Sequence, residues 1–269
     1  MNASSLNPAL PGTVGPRRNV FRMYLMEIKF ELLKTIRLPA YVVPTLLFPV
    51  MFYVLFGLTM NRGDHQADAA TYLIATYGAF GVIGASFVGF GIGVATERGQ
   101  GWLLLKRASP MPPMAYFAAK IVMSMLFSLI LIIILVTLGT LFGHVRIPVT
   151  TVLLLAGILV AGSLPFCAMG LALGYLAGPN SAPAIVNLVY LPMSFVSGLW
   201  IPMEMLPSFI KHIAPFLPAY HFAQLALGSI GASSGGSVIG HVLALLGFAI
   251  GFLALALRAY RNDEGKLYG

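Results

Sequence analysis

The side chains that could carry chemistry are few and scattered along this sequence. Its five histidines show no metal-ligand spacing, and no Asp or Glu lies in the middle of a long apolar run; the histidines are His65, His144, His212, His221 and His241. The sequence contains no G-x-x-x-x-G-K-[ST] phosphate loop, no H-E-x-x-H and no G-x-S-x-G. We therefore predict no catalytic residue, no metal site and no enzyme activity. Any energy source is expected to lie in another polypeptide.

The composition indicates a membrane protein. Of 269 residues, 58% are hydrophobic and 9% are charged, whereas a soluble domain carries about 25% charged residues. The net charge of +8 is spread over short segments between apolar runs, which argues against a nucleic-acid-binding domain. Cys167 is the only cysteine, so the chain forms no internal disulfide.

Six apolar runs reach or approach the length of about 20 residues that a helix needs to cross a bilayer. The fifth is the shortest and contains Pro192. We predict an all-α bundle whose six transmembrane helices span residues 41–60, 72–96, 116–142, 151–176, 183–201 and 238–257.

The positive charges predict the topology of these six spans. Thirteen of the sixteen Lys and Arg residues fall on one side; the other three are Arg62, Arg146 and Lys211. Because the basic side is cytoplasmic, we expect both termini in the cytoplasm. The predicted regions are a flexible tail (1–19), an amphipathic helix (20–38), the transmembrane domain (39–258) and a cytoplasmic tail (259–269).

The amphipathic segment 20–38 and the outer loop 202–237 flank this bundle. The apolar residues of 20–38 share one arc of a helical wheel, which Glu31 interrupts. We expect it to lie in the headgroup plane, in contact with membrane lipid; an ordinary solvated helix is the alternative. Loop 202–237 is apolar but broken by prolines, which predicts a re-entrant segment between helices 5 and 6.

Small residues recur every four positions in several spans. Such stripes let helices approach closely in lipid, so we predict helix packing within the chain, with a subunit interface or a moving contact as the alternative. The stripes are Gly81, Ala85, Gly89 and Gly93 in the second span, Gly170 and Gly174 in the fourth, and Gly247 and Gly251 in the sixth.

Polar residues at membrane depth are few, and four of them lie in the fifth span. Buried polar groups in lipid need partners, so hydrogen bonding between helices is one interpretation and lining of a substrate pathway is the other. The candidate pathway residues are Asn187, Tyr190, Ser194 and Ser197.

Two motifs resemble the permease subunits of type-2 ABC exporters (ABC-2 type). The first follows the second span: an acid–arginine pair, Glu97 and Arg98, precedes a short apolar segment and a Ser-Pro turn at 109–110. The second is the stretch SGLWIP at 197–202, with Leu-Pro at 206–207 and Pro-Ala-Tyr at 218–220. The resemblance covers nearly the whole chain. The first motif departs from the family pattern Glu-Arg-Glu-x-Gly-Thr-x-Glu, because Gly99, Trp102 and Leu104 replace two acids and a threonine.

The resemblance implies how such a chain would work. Segment 97–115 would couple the bundle to a separate ATPase subunit, which would bind ATP and Mg while this chain binds no cofactor. The expected coupling residues are Glu97, Arg98, Gly101, Trp102, Leu105 and Arg107. Two copies, or this chain and a paralogous permease, would form the pathway in a bacterial plasma (inner) membrane.

The resemblance also implies export by alternating access. The scarcity of charge in the spans favours a hydrophobic or amphiphilic cargo such as a drug, an antibiotic or a lipid, as in multidrug efflux. A permease for a lipid-linked glycan or an ion is the alternative within the family. Outside it stand an ion-coupled secondary transporter and a membrane enzyme or scaffold.

Overall fold

The computed structural model describes residues 19–60, 66–109, 111–233 and 235–263, and within these ranges the chain is helical, with no strand. In chain order the first eight α-helices are α1 (Val20–Ile36), α2 (Pro39–Phe52), α3 (Gln66–Ile83), α4 (Gly89–Gly99), α5 (Trp102–Ala108), α6 (Pro113–Phe142), α7 (Val149–Ala161) and α8 (Ser163–Leu176). The remaining four are α9 (Ala182–Val196), α10 (Ser208–Ile213), α11 (Pro218–Ser229) and α12 (Val238–Asp263). Two π-helical stretches, Tyr53–Met60 and Gly84–Val88, continue α2 and join α3 to α4.

The prediction of an all-α membrane protein is confirmed. Five helical segments of the described chain are long and apolar enough to cross a bilayer: Tyr41–Thr59, Ala67–Gly99, Met114–Phe142, Val149–Leu176 and Val238–Asn262. The fifth predicted span corresponds to α9, an apolar helix of only 15 residues. A sixth crossing therefore stays a prediction.

Several predicted boundaries shift in the structure. Segment Ala67–Gly99 has 33 residues, about 50 Å of helix against a hydrocarbon core of about 30 Å, so it must project beyond the membrane. Residues 259–263, in the region predicted as a cytoplasmic tail, continue α12 as helix; their side of the membrane stays a prediction. The predicted tail at residues 1–18, the last residues 264–269 and His65 lie outside the described part of the chain.

Segment Ala67–Gly99 forms the centre of the bundle. Of its most apolar window 78% is buried, against 11% for Val238–Asn262. Tyr77, Ile83 and Phe87 are fully buried there. The other helices pack around this segment, which places the charged end of α4 among several neighbours.

Helix α1 presents a different face to the protein from the one that its apolar arc indicated. Glu31 and Thr35 are buried, whereas Phe21, Phe30 and Ile36 are exposed by 58–71%. The reason is that Glu31 forms a buried ion pair with Lys120 on α6, which turns this side of α1 toward the bundle. An interfacial position for α1 stays a prediction.

The apolar residues of loop 202–237 are divided between the core and the surface. In α11, Phe222, Ala223 and Ala226 are buried, and the Phe222 ring lies 5.4 Å from that of Phe166. Met205 and Phe216, in contrast, are more than 75% exposed. Helix α11 is thus covered by protein, whereas the interruptions before and after it are mostly exposed; a re-entrant segment stays a prediction.

Candidate functional site

The short helix α5 projects from the end of α4 and carries the predicted coupling residues. Gly101 has φ +74°, a left-handed conformation that glycine adopts without a steric cost, and it lets the chain turn within two residues. Trp102 is 50% exposed and Leu105 is 71% exposed. The side chain of Arg107 lies outside the described part. This apolar, exposed face is suited to contact with another protein.

Glu97 does not share this exposure. Its side chain is 7% exposed and forms an ion pair with Lys120, 3.0 Å away, and another with Lys34. The Tyr116 hydroxyl donates a hydrogen bond of 2.6 Å to the second carboxylate oxygen. Glu97 thus joins α4 to α1 and α6; its role in coupling to the ATPase stays a prediction.

The same ammonium groups bind a second buried carboxylate, that of Glu31. Its oxygens lie 2.8 Å from Lys120 Nζ and 3.0 Å from Lys34 Nζ. Burial raises the pKa of Glu31, but Lys120 and Lys34 outweigh it, so that this pKa lies below its usual range. Two carboxylates and two ammonium groups form one neutral cluster, which we call the charge cluster: Glu31, Lys34, Glu97 and Lys120.

A further ion pair ties α5 to α1. Lys106 pairs with Glu27, and its ammonium lies 4.4 Å from the centre of the Tyr116 ring, a cation–π contact. Because Tyr116 also bonds to Glu97, α5 is connected to the charge cluster through both α1 and α6.

Arg98 holds the end of α8. Its guanidinium donates hydrogen bonds to the carbonyl oxygens of Tyr175 and of Ala177, the latter at 2.7 Å. These carbonyls lie at the C-terminus of α8, where a cation is favoured. Arg98 therefore attaches the base of α5 to a second long helix.

A cavity of about 700 Å³ opens beside the charge cluster, between α1, α2, α4, α6 and α9. All four residues of the charge cluster line it, together with Trp102. The remainder is mostly apolar; its walls include Tyr41, Phe48, Gly89, Gly93, Phe127 and Asn187. The shape and chemistry suit a molecule with a large apolar part and a polar end.

The four predicted pathway residues separate in the structure. Asn187 lines the cavity, and its amide donates a hydrogen bond of 3.0 Å to the Pro183 carbonyl. Tyr190 is buried against α3, where its hydroxyl donates to the Phe80 carbonyl at 2.9 Å. Ser194 donates to the Tyr190 carbonyl, and Ser197 is also buried. The latter three pack α9 on the bundle, and Asn187 alone of the four lines this cavity.

The glycine stripes lie at close contacts between helices. A Cβ atom added to Gly81 would lie 2.2 Å from Leu131, and one added to Gly89 would lie 2.5 Å from the Tyr41 hydroxyl. The same hydroxyl donates to the Ala85 carbonyl at 2.9 Å. Gly93 faces Lys120 at 3.4 Å, and Gly170 and Gly174 face α4 and its π-helical approach at 2.7–2.8 Å. In α12, by contrast, a Cβ atom added to Gly247 or Gly251 would have no atom of a neighbouring group within 4 Å.

This difference predicts opposite effects for two similar substitutions. Gly170→Ala is expected to lower the free energy of unfolding by about 1–3 kcal/mol, because its Cβ would lie 2.7 Å from the Phe87 backbone oxygen. Gly247→Ala should be neutral or slightly stabilising, since alanine favours helix and the space is open. Thermal unfolding of the two variants in the same detergent is the measurement; an equal effect would contradict the close contact.

Sequence reasoning missed several members of the cluster. In the sequence, Lys120 entered only the count of positive charges that predicts the topology. Glu31 was noted only because it interrupts the apolar arc of segment 20–38. Both carried a signal, because an ionisable residue inside an apolar helix requires a partner. The partner itself could not be identified, since Glu31 and Lys120 are 89 residues apart.

The comparisons with known proteins give the family. The model of the ABC-2 type transporter family matches residues 24–230, most of the chain. The chain belongs to the ABC-2 type transporter family. The resemblance inferred from the sequence is confirmed, and this membership implies an ABC ATPase subunit as the partner of the ABC-2 chain.

A relative from Bacillus subtilis (strain 168), named "Putative transport permease YvfS", is 27% identical over 236 residues, which cover 87% of this chain and 95% of the relative. The ABC-2 chain is thus a membrane transport permease.

Proposed function

We propose that this ABC-2 permease is the membrane half of an exporter that moves a hydrophobic or amphiphilic molecule, of drug or lipid type, out of the cytoplasm or the inner leaflet. Two copies would cross a bacterial plasma membrane six times each, with α5 and both termini on the cytoplasmic side. One observation supports this most strongly: the charge cluster lines a cavity large enough for an amphiphile, and that cluster is linked to the exposed helix α5.

The proposed coupling follows these contacts. Closure of the ATPase dimer moves α5 through Trp102 and Leu105, which are its exposed apolar side chains. The Lys106–Glu27 pair carries this movement to α1, and Glu97 carries it to α6 through Lys120. The helices move as rigid bodies and change the side to which the cavity opens. Differential binding of ATP to the two states supplies the energy.

The proposed cargo follows from the walls of the cavity. Its aromatic and aliphatic residues would bury an apolar tail, and the charge cluster, which is neutral as a whole, would accept a polar head by hydrogen bonds. Asn187 places an amide among the apolar walls. The exposed apolar surface of α9 around it, including Leu188 at 74% exposure, is available to a second copy or to lipid.

Asn187 provides the test of this proposal. In liposomes that contain the permease and its ATPase, Asn187→Leu should raise the concentration of amphiphile that half-stimulates ATP hydrolysis by roughly 3- to 10-fold, since a hydrogen bond contributes about 0.5–1.5 kcal/mol. Leu188→Ala is the matched control, because Leu188 neighbours Asn187 and does not line the cavity. Amphiphile flux through the chain without ATPase, driven by an ion gradient, would disprove the proposal.

A further inference from the structure

Two histidines face each other at the end of the bundle opposite α5. His221 is the fourth residue of α11 and His241 is the fourth residue of α12. Their Nδ1 atoms lie 2.9 Å apart. The Nε2 atom of His221 lies 2.9 Å from the Pro215 carbonyl oxygen, and that of His241 lies 3.0 Å from the Gly235 carbonyl oxygen.

Proton counting determines the charge of this pair. A carbonyl oxygen only accepts hydrogen bonds, so each Nε2 must carry a hydrogen. A neutral imidazole has one N–H, so two neutral rings would point two bare Nδ1 lone pairs at each other over 2.9 Å. The contact becomes a hydrogen bond only when one ring takes a second proton. Three protons on four nitrogens then satisfy all three contacts, and the pair carries one positive charge.

We propose that His221 and His241 share one proton and form a singly charged hydrogen-bonded pair, which we call the strap, between α11 and α12. The strap opens when the pH on that side of the membrane rises far enough, and also when it falls far enough. That this side is the outer one rests on the orientation proposed above. At a pH high enough to remove the shared proton, the lone pairs of the two Nδ1 atoms repel each other. At a pH low enough to add a further proton, both rings are cations and repel each other. Both steps belong to the pair as a whole, because the two rings share the proton.

Both rings lie in buried or partly buried surroundings. Burial lowers the pKa of His221, against the raising effect of its hydrogen bond to the Pro215 carbonyl, and a charge on His241 lowers it further. The His241 ring is 7% exposed. Tyr220 packs its ring 5.5 Å from His221 and 6.0 Å from His241.

Neighbouring charges leave the pair undisturbed. On α10, the Lys211 ammonium and the His212 ring bond to the carbonyls of Glu204 and Ser208. Both histidines lie in the first turn of a helix, where the dipole disfavours a cation. A metal ion is a weaker explanation, because the described residues contain no group of three His, Cys, Asp or Glu side chains that could hold one.

The strap connects four pieces of the chain at this end. Pro215 belongs to the 3₁₀ turn Ala214–Phe216 before α11, and Gly235 belongs to the linker before α12. Gly236 has φ +90°, and a Cβ atom there would lie 2.6 Å from His241 Nε2. The backbone is thus shaped around the His241 ring. Opening the strap would release α11, which packs against both α12 and α3.

The test is nitrogen NMR of the full-length permease in lipid nanodiscs, with ¹⁵N-labelled histidines and without ATPase or cargo. The chain has five histidines, so single substitutions assign the signals. Near neutral pH we expect one ring protonated on both nitrogens and one neutral ring protonated on Nε2, with loss of this pattern at both higher and lower pH. Two neutral rings at every pH at which the chain stays folded, or an Nδ1–H tautomer in either ring near neutral pH, would overturn the proposal.

A matched variant tests the proton itself. In His221→Asn the side-chain amide can donate to a neutral His241 Nδ1 or accept from a charged one, so the bond no longer needs a shared proton. The fall in unfolding temperature on the alkaline side should therefore be lost in this variant. His144→Asn is the control, since His144 has φ +53°, which asparagine tolerates, and it should keep the wild-type profile. Equal alkaline profiles for wild type and His221→Asn would contradict the strap.

Discussion

Replacing Lys120 by methionine is expected to lower the free energy of unfolding by about 3–5 kcal/mol, because removing one partner of a buried ion pair leaves uncompensated charge. Lys120 is 6% exposed and contacts both Glu31 and Glu97. Its loss would leave two buried carboxylates and one ammonium, that of Lys34. Methionine keeps most of the volume, so the loss reflects charge instead of a cavity. Thermal unfolding of the purified chain in detergent is the measurement.

Two further variants separate charge balance from packing. Lys120→Met combined with Glu31→Gln restores a neutral cluster of Lys34 and Glu97, and should be more stable than Lys120→Met alone. Lys34→Met should cost less than Lys120→Met, because the Lys34 side chain is 33% exposed and water screens its charge. If the double variant is no more stable than the single one, the four residues do not act as one cluster.

Replacing Trp102 by alanine is expected to weaken binding of the ATPase by roughly 30-fold or more, without a loss of stability. An aromatic anchor at the centre of an interface contributes about 2 kcal/mol or more. Trp102 is half exposed in the permease, so its removal leaves no large void in the core. Affinity for the ATPase in the absence of cargo is the quantity to measure, since Trp102 also borders the cavity.

Two control variants accompany Trp102→Ala: one changes the same residue conservatively, and the other removes an exposed aromatic side chain elsewhere. Trp102→Phe should retain most of the affinity, because a flat apolar ring remains. Phe216→Ala removes a side chain that is 78% exposed in the segment that we place outside, and it should leave the affinity unchanged. Wild-type affinity in Trp102→Ala would mean that α5 does not hold the ATPase through this residue.

The structure changed the interpretation of the best sequence motif. Glu97 and Arg98 were expected to take part in coupling to the ATPase. In the structure Glu97 pairs with Lys34 and Lys120, and Arg98 binds the end of α8. The motif marks the correct place on the chain, because α5 follows it directly. Its charged residues connect helices within the permease, and the exposed apolar residues after them are left to meet the partner. That contact stays a prediction.

The pathway candidates illustrate the same limit. Asn187, Tyr190, Ser194 and Ser197 were equivalent in sequence, as polar residues in or next to one apolar run. Helix α9 buries one face against the bundle, and three of the four lie on it, at Tyr190, Ser194 and just beyond the helix at Ser197. Asn187 falls on the other face. Which face is buried depends on α3, a helix more than 100 residues earlier in the chain.

By itself the sequence determined that this protein is an all-helical membrane permease of the ABC-2 type, because hydropathy and family motifs are local properties of a short stretch of chain. Only the tertiary structure decided the partners of its charges and histidines. Glu31 meets Lys120 across 89 residues, and Lys34 meets Glu97 across 63. A buried charge requires an opposite charge nearby, but that requirement does not state which residue supplies it; the packing of α1, α4 and α6 does.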